Sequence, residues 1–577
     1  MWPAPRGPLV RSFAVAVASA RFGFVRRNWI ALTALAGYGA LAFLYLGLRL
    51  LVESGHQYLG FGVDPELFIW DFGWWPHAIL HGQNPFVTHA IWAPDGVNLT
   101  WTTSVPGLAL LFSPLTLVVG PIVSYDVAGV LMPCLAAWTA FLFCRRLTRA
   151  VWPSLVGGYL FGFSSYMFGQ EEGHPHMTGV FAVPLIALVL VRYLDGELEG
   201  RGLVVRLGPL LAFELLVSTE VTFTLALALF VALVVGFAAA PSRRSRLRSL
   251  LPPLGAAYAF AALLTSPFIY YAITGFQPHL IQGSEGVTAD LVNFISPTRL
   301  GLPSFPWLNR LSTEFAANDS ERDAYLGIPS LLILALFAAR RGRTEGGRFL
   351  LACFTVSAVA QLSTQLTYAG HIGFWLPWSL VANLPIFDDV LPARFALYTS
   401  LIVAVVVASW ARAARGRWLR WLLPALAAIA LVPNPDSGAW ATSFTVPRFF
   451  TDHAFRDCLD PGENILPLPV GSGGDSMLWQ ATNGYRFRMA GGYIASDPPK
   501  SFRSPDQIAA VAGGQTIPVD QATLLAYIHA KGVTSVIVDE RAAASWSPTL
   551  DPIASPQQVG GVVIYRVAPG EPSCDGR

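Results

Sequence analysis

Long apolar runs separated by short polar turns fill the chain between residues 29 and 432. A helix that crosses a bilayer needs about 20 predominantly apolar residues, and Lys and Arg near short loops mark its cytoplasmic end. The first run, residues 29–52, follows Arg26 and Arg27, which predicts a cytoplasmic N-terminus. It is too long and too poorly flanked for a cleaved signal peptide. The pattern predicts a polytopic α-helical protein of the plasma membrane.

Basic clusters between the apolar runs predict about eleven crossings and an external C-terminus. The predicted spans are residues 29–52, 126–144, 151–169, 177–193, 207–218, 221–240, 250–273, 325–338, 349–366, 394–410 and 421–432. One more apolar run, residues 105–125, contains Pro106, Pro114 and Pro121. A full crossing there would place the basic cluster 145–149 outside, so we expect this run to be re-entrant or to lie along the outer interface.

This span pattern divides the chain into three parts. They are a cytoplasmic N-terminus (1–28), a transmembrane domain (29–436) with outer loops 53–125, 274–324 and 367–393, and an extracytoplasmic domain (437–577). In the last part Gly, Pro, Asp and Ser become frequent and no run is long enough to cross. Its patterning predicts a small α/β domain, with strands at 464–470, 533–539 and 561–567 and an amphipathic helix at 521–531.

Composition supports a membrane protein and limits its partners. Only 13% of the residues are charged, whereas soluble domains have about 25%. The net charge of +2 does not favour nucleic acid as a partner, and the chain has no GxGxxG or GxxxxGK[ST] nucleotide motif. Arg greatly outnumbers Lys, which indicates a GC-rich, actinobacterial genome. If the C-terminal part is outside the cell, Cys458 and Cys574 are able to form a disulfide.

Candidate chemistry begins in the first outer loop, just past the first span. Asp64, Glu66 and Asp71 are candidate catalytic residues, because a partly desolvated acid beside a membrane cavity can act as a general base. Trp74 and Trp75, among other tryptophans, are typical of an interfacial belt and are also candidate substrate contacts.

A second polar cluster follows the third predicted span and faces the same side of the membrane. It contains Glu171, Glu172, His174 and His176, which are either a solvated loop end or ligands for a phosphate or for Mg, Mn or Zn. No closed set of metal ligands is evident from the sequence.

Two further residues are candidate substrate contacts because of where they lie. Glu220 lies at the outer turn of an apolar helical pair, where an acid is either solvated or functional. Arg394 opens a span on the outer side, against the charge trend. Its guanidinium matches phosphate geometry, although contact with lipid headgroups would also explain it. In the C-terminal part, Trp479, Tyr485, Phe487 and Tyr493 are either core residues or platforms for sugar rings.

The layout resembles the GT-C superfamily of polyprenyl-phosphate-sugar-dependent membrane glycosyltransferases. An acid just after the first span, a juxtamembrane stretch, a short helical pair, a long outer loop and an external C-terminal domain carry the resemblance. It covers residues 29–432 in layout and is motif-specific only near residues 64–101 and 162–176, with wording such as D-P-x-x-F-I-W and G-x-N-P-F.

The resemblance implies transfer of a sugar from a lipid-linked donor to an envelope glycan, lipid or protein at the outer face, with inversion. By position the base would be Asp64. This sequence departs from the family's Asp-Glu pair because Pro65 separates Asp64 from Glu66, so Glu66 and Asp71 stay open as the base. The alternatives are a transporter or flippase of a lipid-linked intermediate, and a non-catalytic envelope-assembly protein. A transporter predicts inverted repeats and polar residues near the bilayer midplane.

Overall fold

The structure is a computed structural model that describes residues 28–51, 55–275, 287–416, 418–496, 498–503, 519–568 and 574. The predicted cytoplasmic segment 1–28 lies outside these ranges except for its last residue. Within the described part, six helices are long and apolar enough to cross a membrane. These helices are Asn28–Leu50, Pro121–Thr148, Pro175–Leu194, Thr219–Ala239, Pro241–Leu264 and Pro392–Ala413. The chain is thus a multi-pass membrane protein.

Several of the predicted crossings correspond to shorter or more charged helices, so the count of eleven stays a prediction. These helices are Val151–Gly162, Gly200–Val217, Ile328–Arg341, Glu345–Gln361 and Leu419–Ala430. The described residues also include the shorter helices Asp64–Leu80, Ser165–Gln170, Ser266–Thr274 and Pro306–Thr313. Two short antiparallel hairpins also occur there, Val87–Thr88 with Val97–Asn98 and Gln365–Tyr368 with His371–Trp375.

The apolar run 105–125 contains a separate helix, Pro106–Val119. The position of the basic cluster 145–149 had excluded this run as a membrane crossing. Its 14 residues rise about 21 Å, which is less than the roughly 30 Å hydrocarbon core. Gly120, at φ +88°, ends this helix, and Pro121 opens the next one. Proline suits a first helical turn because its missing N–H would have no partner there. The helix Pro121–Thr148 therefore begins five residues before the predicted span at 126.

The C-terminal region contains a five-stranded sheet in the order Pro556–Val559, Val562–Arg566, Ser535–Asp539, Asn464–Leu468, Arg488–Met489. The first two pairings are antiparallel and the last two are parallel. The central strand, Ser-Val-Ile-Val-Asp, is buried along its whole length, and its β-branched residues favour a strand. The helix Gln521–Lys531 has the predicted bounds. The other helices of this region are Arg448–Thr451, Phe455–Cys458, Ser476–Thr482 and Glu540–Leu550.

The C-terminal region packs directly on the helix Asp64–Leu80. The indole N–H of Trp70 donates to Gln480 Oε1 at 2.7 Å, and Tyr485 Oη donates to the carbonyl of Trp70 at 2.7 Å. Met489 N donates to the carbonyl of Ala90, and Ala93 N donates to the carbonyl of Met489. These contacts join segments about 400 residues apart and fix the sheet against the first outer loop.

The disulfide allowed by the sequence is present between Cys458 and Cys574. It closes a loop with a sequence separation of 116 residues, which restricts the unfolded chain. We expect Cys458→Ser to cost the C-terminal region roughly 2–4 kcal/mol of unfolding free energy. Thermal unfolding in detergent should show this loss, and adding reductant should lower the wild-type midpoint but not that of the variant. Cys353→Ser, which removes an unpaired thiol, is the control; equal midpoints for all three proteins would contradict the expectation.

Candidate active site

Asp64 is the first residue of the helix Asp64–Leu80, where the positive end of the helix dipole favours a carboxylate. Its Oδ2 lies 3.1 Å from His174 Nε2, and its Oδ1 accepts a hydrogen bond from Tyr493 Oη. The Asp64 side chain is 31% exposed. Burial alone would raise its pKa, but His174, Tyr493 and the charge of Arg394 hold the pKa below its ordinary value. Asp64 is therefore an ionised carboxylate within reach of solvent.

Tyr493 reaches this site from the C-terminal region, 429 residues further along the chain. It lies just after Gly491 and Gly492, whose φ angles of +155° and +154° favour glycine. The sequence offered it only as a core or sugar-stacking residue, with no sign that it would meet Asp64. Trp479 and Phe487 are fully buried in the same region. Of the four candidate aromatics, Tyr493 alone bonds to a candidate catalytic acid in the described part of the chain.

Glu66 contacts other residues than Asp64 does. It is buried, and Tyr58 Oη donates to its Oε1 at 3.3 Å. Burial, followed by the nearby charge of Asp475, raises the pKa of Glu66 well above its ordinary value. A neutral carboxyl held in this way fits a structural contact between the first loop and the C-terminal region better than a base.

Asp71 is completely buried, and neither carboxylate oxygen has a hydrogen-bond partner among the described residues. Burial raises its pKa well above the ordinary value, since the charged form has lost its water. The C-terminal region covers this face of the helix through Tyr485, which bonds to the preceding residue, Trp70. No substrate can reach Asp71 in this arrangement, so the geometry does not fit the catalytic role predicted for it.

We expect Asp71→Asn to stabilise the protein above neutral pH. A raised folded-state pKa gives stability that is complete below the unfolded pKa and is lost as pH rises through the folded value. Asn does not titrate, so it avoids a loss of about 1–3 kcal/mol. Thermal midpoints of the two proteins should coincide only near or below the ordinary Asp pKa of about 3.9, and should diverge progressively as pH rises from there toward the folded-state pKa. Parallel midpoint curves at all pH values would contradict a buried, titrating Asp71.

Trp74 and Trp75 are packing residues in this structure. Their indole N–H groups donate to the carbonyls of Pro85 at 3.1 Å and Ser104 at 2.9 Å. Both are at most 3% exposed, and Trp74 stacks on Trp70 with centroids 5.3 Å apart. Rings used in this way offer no free face to a substrate, so the predicted substrate contact does not fit their position.

The predicted metal ligands between residues 171 and 176 point in different directions. His174 bonds to Asp64, whereas His176 stacks on Phe68 with centroids 5.3 Å apart. Glu171 is buried beside Thr178. Burial and the charge of Asp319 raise the pKa of Glu172 to about 8. No group of three or more His, Cys, Asp or Glu in the described residues is placed to hold a metal ion. The turn between two short helices separates side chains that the sequence suggested were together.

Arg394 is buried in a cluster of acids rather than free. Its Nε and Nη2 donate to Glu321 Oε1 at 2.9 and 2.6 Å, and its Nη1 donates to Glu220. Nη1 also approaches Met177 Sδ at 3.7 Å, a weak contact. The structure thus joins the two predicted residues, Glu220 and Arg394, as an ion pair.

Glu321 and the buried Asp323 beside it were missed by sequence reasoning. They lie in the acid-rich stretch 318–323, N-D-S-E-R-D, of the loop predicted at residues 274–324, and this stretch was the only available signal. A loop residue's partner 73 positions away cannot be read from local pattern.

Comparison with solved structures identifies the fold. Arabinofuranosyltransferase AftD from Mycobacteria aligns with 94% of this chain at 14% identity and a TM-score of 0.53, and this chain spans 42% of its length. The apo oligosaccharyltransferase from Archaeoglobus fulgidus aligns with 94% of this chain at 13% identity and a TM-score of 0.50, and the alignment covers 75% of the oligosaccharyltransferase chain. ArnT from Cupriavidus metallidurans bound to undecaprenyl phosphate aligns with 95% of this chain at 9% identity and a TM-score of 0.49, and the alignment covers 99% of the ArnT chain.

These neighbours are GT-C enzymes, and the chain has the GT-C fold. The resemblance inferred from sequence layout is confirmed at that level. The chain belongs to the family described as a domain of unknown function, DUF6311, whose model matches residues 34–432. No curated protein matches the sequence.

Proposed function

We propose that this protein is an inverting glycosyltransferase that moves a sugar from a polyprenyl-phosphate donor to an envelope glycan, lipid or protein at the outer face of the membrane. The observation that carries the proposal is the Asp64 site: a partly exposed, ionised carboxylate held by His174 and Tyr493. The GT-C fold supports the class of reaction. Outer-face action is supported by the Arg-rich turns and by the disulfide, since disulfides persist in oxidising compartments.

In the proposed reaction Asp64 accepts the proton of an acceptor hydroxyl as that oxygen attacks the anomeric carbon. A new C–O bond forms while the bond from that carbon to the phosphate oxygen breaks, and the electron pair leaves with polyprenyl phosphate. A single displacement of this kind inverts the anomeric centre. The two hydrogen bonds orient the carboxylate and keep it ionised, which suits a general base once the substrate is in place.

We assign the donor phosphate to the neighbourhood of Arg394, whose charge reaches Asp64. Glu321 and Glu220 accept hydrogen bonds from most of the N–H groups of Arg394. One further contact, from Nη1 to Met177 Sδ, is long at 3.7 Å. A phosphate oxygen is a far better acceptor for that N–H than a thioether. His176 lies beside His174 with ring centroids 5.7 Å apart, so it would line the space between base and phosphate.

A requirement for a divalent metal is a separate question from the role of Asp64. The four predicted ligands do not converge, and no step of the proposed reaction uses a metal ion. The proposed displacement needs only a base and a positioned cation, so turnover should survive thorough chelation. Sugar transfer measured with and without chelator, followed by addition of Mg, Mn or Zn, checks this. Transfer that stops on chelation and returns with one ion would restore the metal prediction and require a rearranged Glu171–His176 segment.

The proposal is tested by comparing envelope glycans of a deletion strain with those of the strain complemented by the wild-type gene. We expect mass spectrometry to show loss of one sugar from a defined glycan, lipid or protein, and its return on complementation. Accumulation of an intact lipid-linked glycan on the inner side would instead indicate a flippase. Unchanged envelope glycans would contradict both functions.

A further inference from the structure

A large cavity of about 2430 Å³ lies between the helices, apart from the Asp64 site. Its walls come from Ala182–Leu194, Thr219–Ala239, Glu345–Gln361 and Ala396–Ala413, among other helices. Asp64, Glu220, Glu321 and Arg394 do not line it. The cavity is therefore not the place where the proposed base and donor phosphate meet.

The two ends of the cavity differ in chemistry. The aromatic rings of Trp378, Phe387 and Phe395 lie together in the lining, with centroids 5.4–6.0 Å from that of Trp378, and aliphatic side chains such as Leu233, Leu401 and Ile402 line the adjoining part. The opposite end is lined by arginines contributed by several helices. These are Arg146, Arg149, Arg243, Arg340, Arg341, Arg412 and Arg415.

The arginine end holds more positive than negative charge. Its three acids are already engaged: Asp195 pairs with Arg146 and Arg243, Glu197 pairs with Arg146, and Glu345 bonds to Ser242. The remaining five arginines, 149, 340, 341, 412 and 415, form no ion pair with the described residues. All five are exposed to solvent, so this end of the cavity presents guanidinium groups that no described acid pairs, next to an apolar interior.

A buried donor at the same end also lacks an acceptor. Trp410 lines the cavity and is 4% exposed, and its indole N–H has no hydrogen-bond partner in the described part of the chain. A buried N–H without an acceptor is costly, so such groups usually face a ligand or an ordered water. An oxygen-rich group at the arginine end would satisfy it.

We infer that this cavity binds an anionic glycerophospholipid, with its acyl chains among the aliphatic side chains and its phosphate at Arg412 and Arg415. Guanidinium groups match phosphate oxygens, and the ester and phosphate oxygens supply acceptors for Trp410. Burial of the acyl chains among the aliphatic side chains removes their apolar surface from water, which favours binding. The site is separate from sugar transfer and goes beyond the proposed function.

The test uses the full-length protein, delipidated in detergent and titrated with phosphatidylglycerol or phosphatidylcholine carrying identical chains, with bound lipid counted by native mass spectrometry. We expect phosphatidylglycerol to bind on the order of tenfold or more tightly. Arg412→Gln/Arg415→Gln should weaken phosphatidylglycerol binding on the order of thirtyfold, and Arg412→Lys/Arg415→Lys should recover part of it. Ile402→Trp, which narrows the cavity without changing charge, should lower binding of both lipids.

Arg201→Gln/Arg248→Gln is the matched control, because both arginines are exposed on helices and lie outside the cavity lining. It should bind phosphatidylglycerol as the wild type does, and equal thermal midpoints would show that all variants are folded. Three results would overturn the inference: equal affinity for the two lipids, equal loss in the control pair, and displacement of phosphatidylglycerol by stoichiometric polyprenyl phosphate. The last would show the cavity to be a donor site.

Discussion

Asp64→Asn should lower sugar transfer by about 10² to 10⁴-fold, the usual contribution of a positioned general base. Asn keeps the shape of the side chain and still accepts from Tyr493, so the site should stay assembled. The protein should insert and unfold at nearly the wild-type temperature. Transfer from a radiolabelled lipid-linked donor, measured in reconstituted vesicles, gives the rate.

The other two first-loop acids give matched controls for that result. Asp71→Asn should keep most of the activity because Asp71 is completely buried. Glu66→Gln should reduce activity less than Asp64→Asn, since the neutral amide still accepts the hydrogen bond from Tyr58 that the neutral carboxyl accepts. Full activity in Asp64→Asn together with loss in either control would move the base to that residue.

The pH profile offers a second view of the same residue. The pKa of Asp64 is held below its ordinary value by His174 and Tyr493, although burial opposes this. The base therefore stays ionised, and activity limited by it should be level from neutral into mildly acidic pH, falling only below the usual carboxyl range. Tyr493→Phe removes one hydrogen bond and should shift that fall to higher pH.

Arg394→Gln should destabilise the folded protein by about 3–5 kcal/mol, because it leaves the buried Glu321 and the partly buried Glu220 without their cation. Arg394 and Glu321 are each under 10% exposed, and the guanidinium makes two hydrogen bonds to Glu321. Thermal unfolding in detergent measures the loss, and sugar transfer should fall with it. Arg394→Lys should recover part of the stability, since it restores charge without the planar fork.

Two further variants separate charge pairing from simple packing. Adding Glu321→Gln to Arg394→Gln removes one uncompensated acid and should return part of the lost stability. Arg299→Gln is the control, because Arg299 pairs with Asp319 at 2.5 Å but is 41% exposed and should cost under about 1 kcal/mol. Equal unfolding of Arg394→Gln and wild type would contradict the buried ion pair.

Local pattern located part of the site. An acid following the first span and a histidine after the third were predicted on one face, and Asp64 and His174 meet there at 3.1 Å. Both predictions depend only on where apolar runs end, which sequence shows directly. The GT-C layout and the helix Gln521–Lys531 could be predicted for the same reason.

Long-range packing decided the rest. Asp71, like Asp64, is an acid in the segment after the first span, but the C-terminal region covers Asp71. The sequence around residue 71 does not indicate that Tyr485 and Gln480 will pack there. Tyr493 and Glu321 complete the site from segments that are distant in sequence. The local sequence of these segments does not indicate which helix residues they will contact. Charge alone marked Arg394 as unusual, whereas its partners depend on how the loop Asp319–Glu321 folds back.

The central claim is that Asp64 activates an acceptor hydroxyl for a single displacement at the anomeric carbon. In the most direct test, purified protein is incubated with lipid-linked sugars extracted from the source membrane and with an acceptor fraction. The anomeric configuration of the product is then determined by NMR. The account predicts a product inverted relative to its donor, formed by wild type and lost in Asp64→Asn. A product with retained configuration, or undiminished transfer by Asp64→Asn, would contradict it.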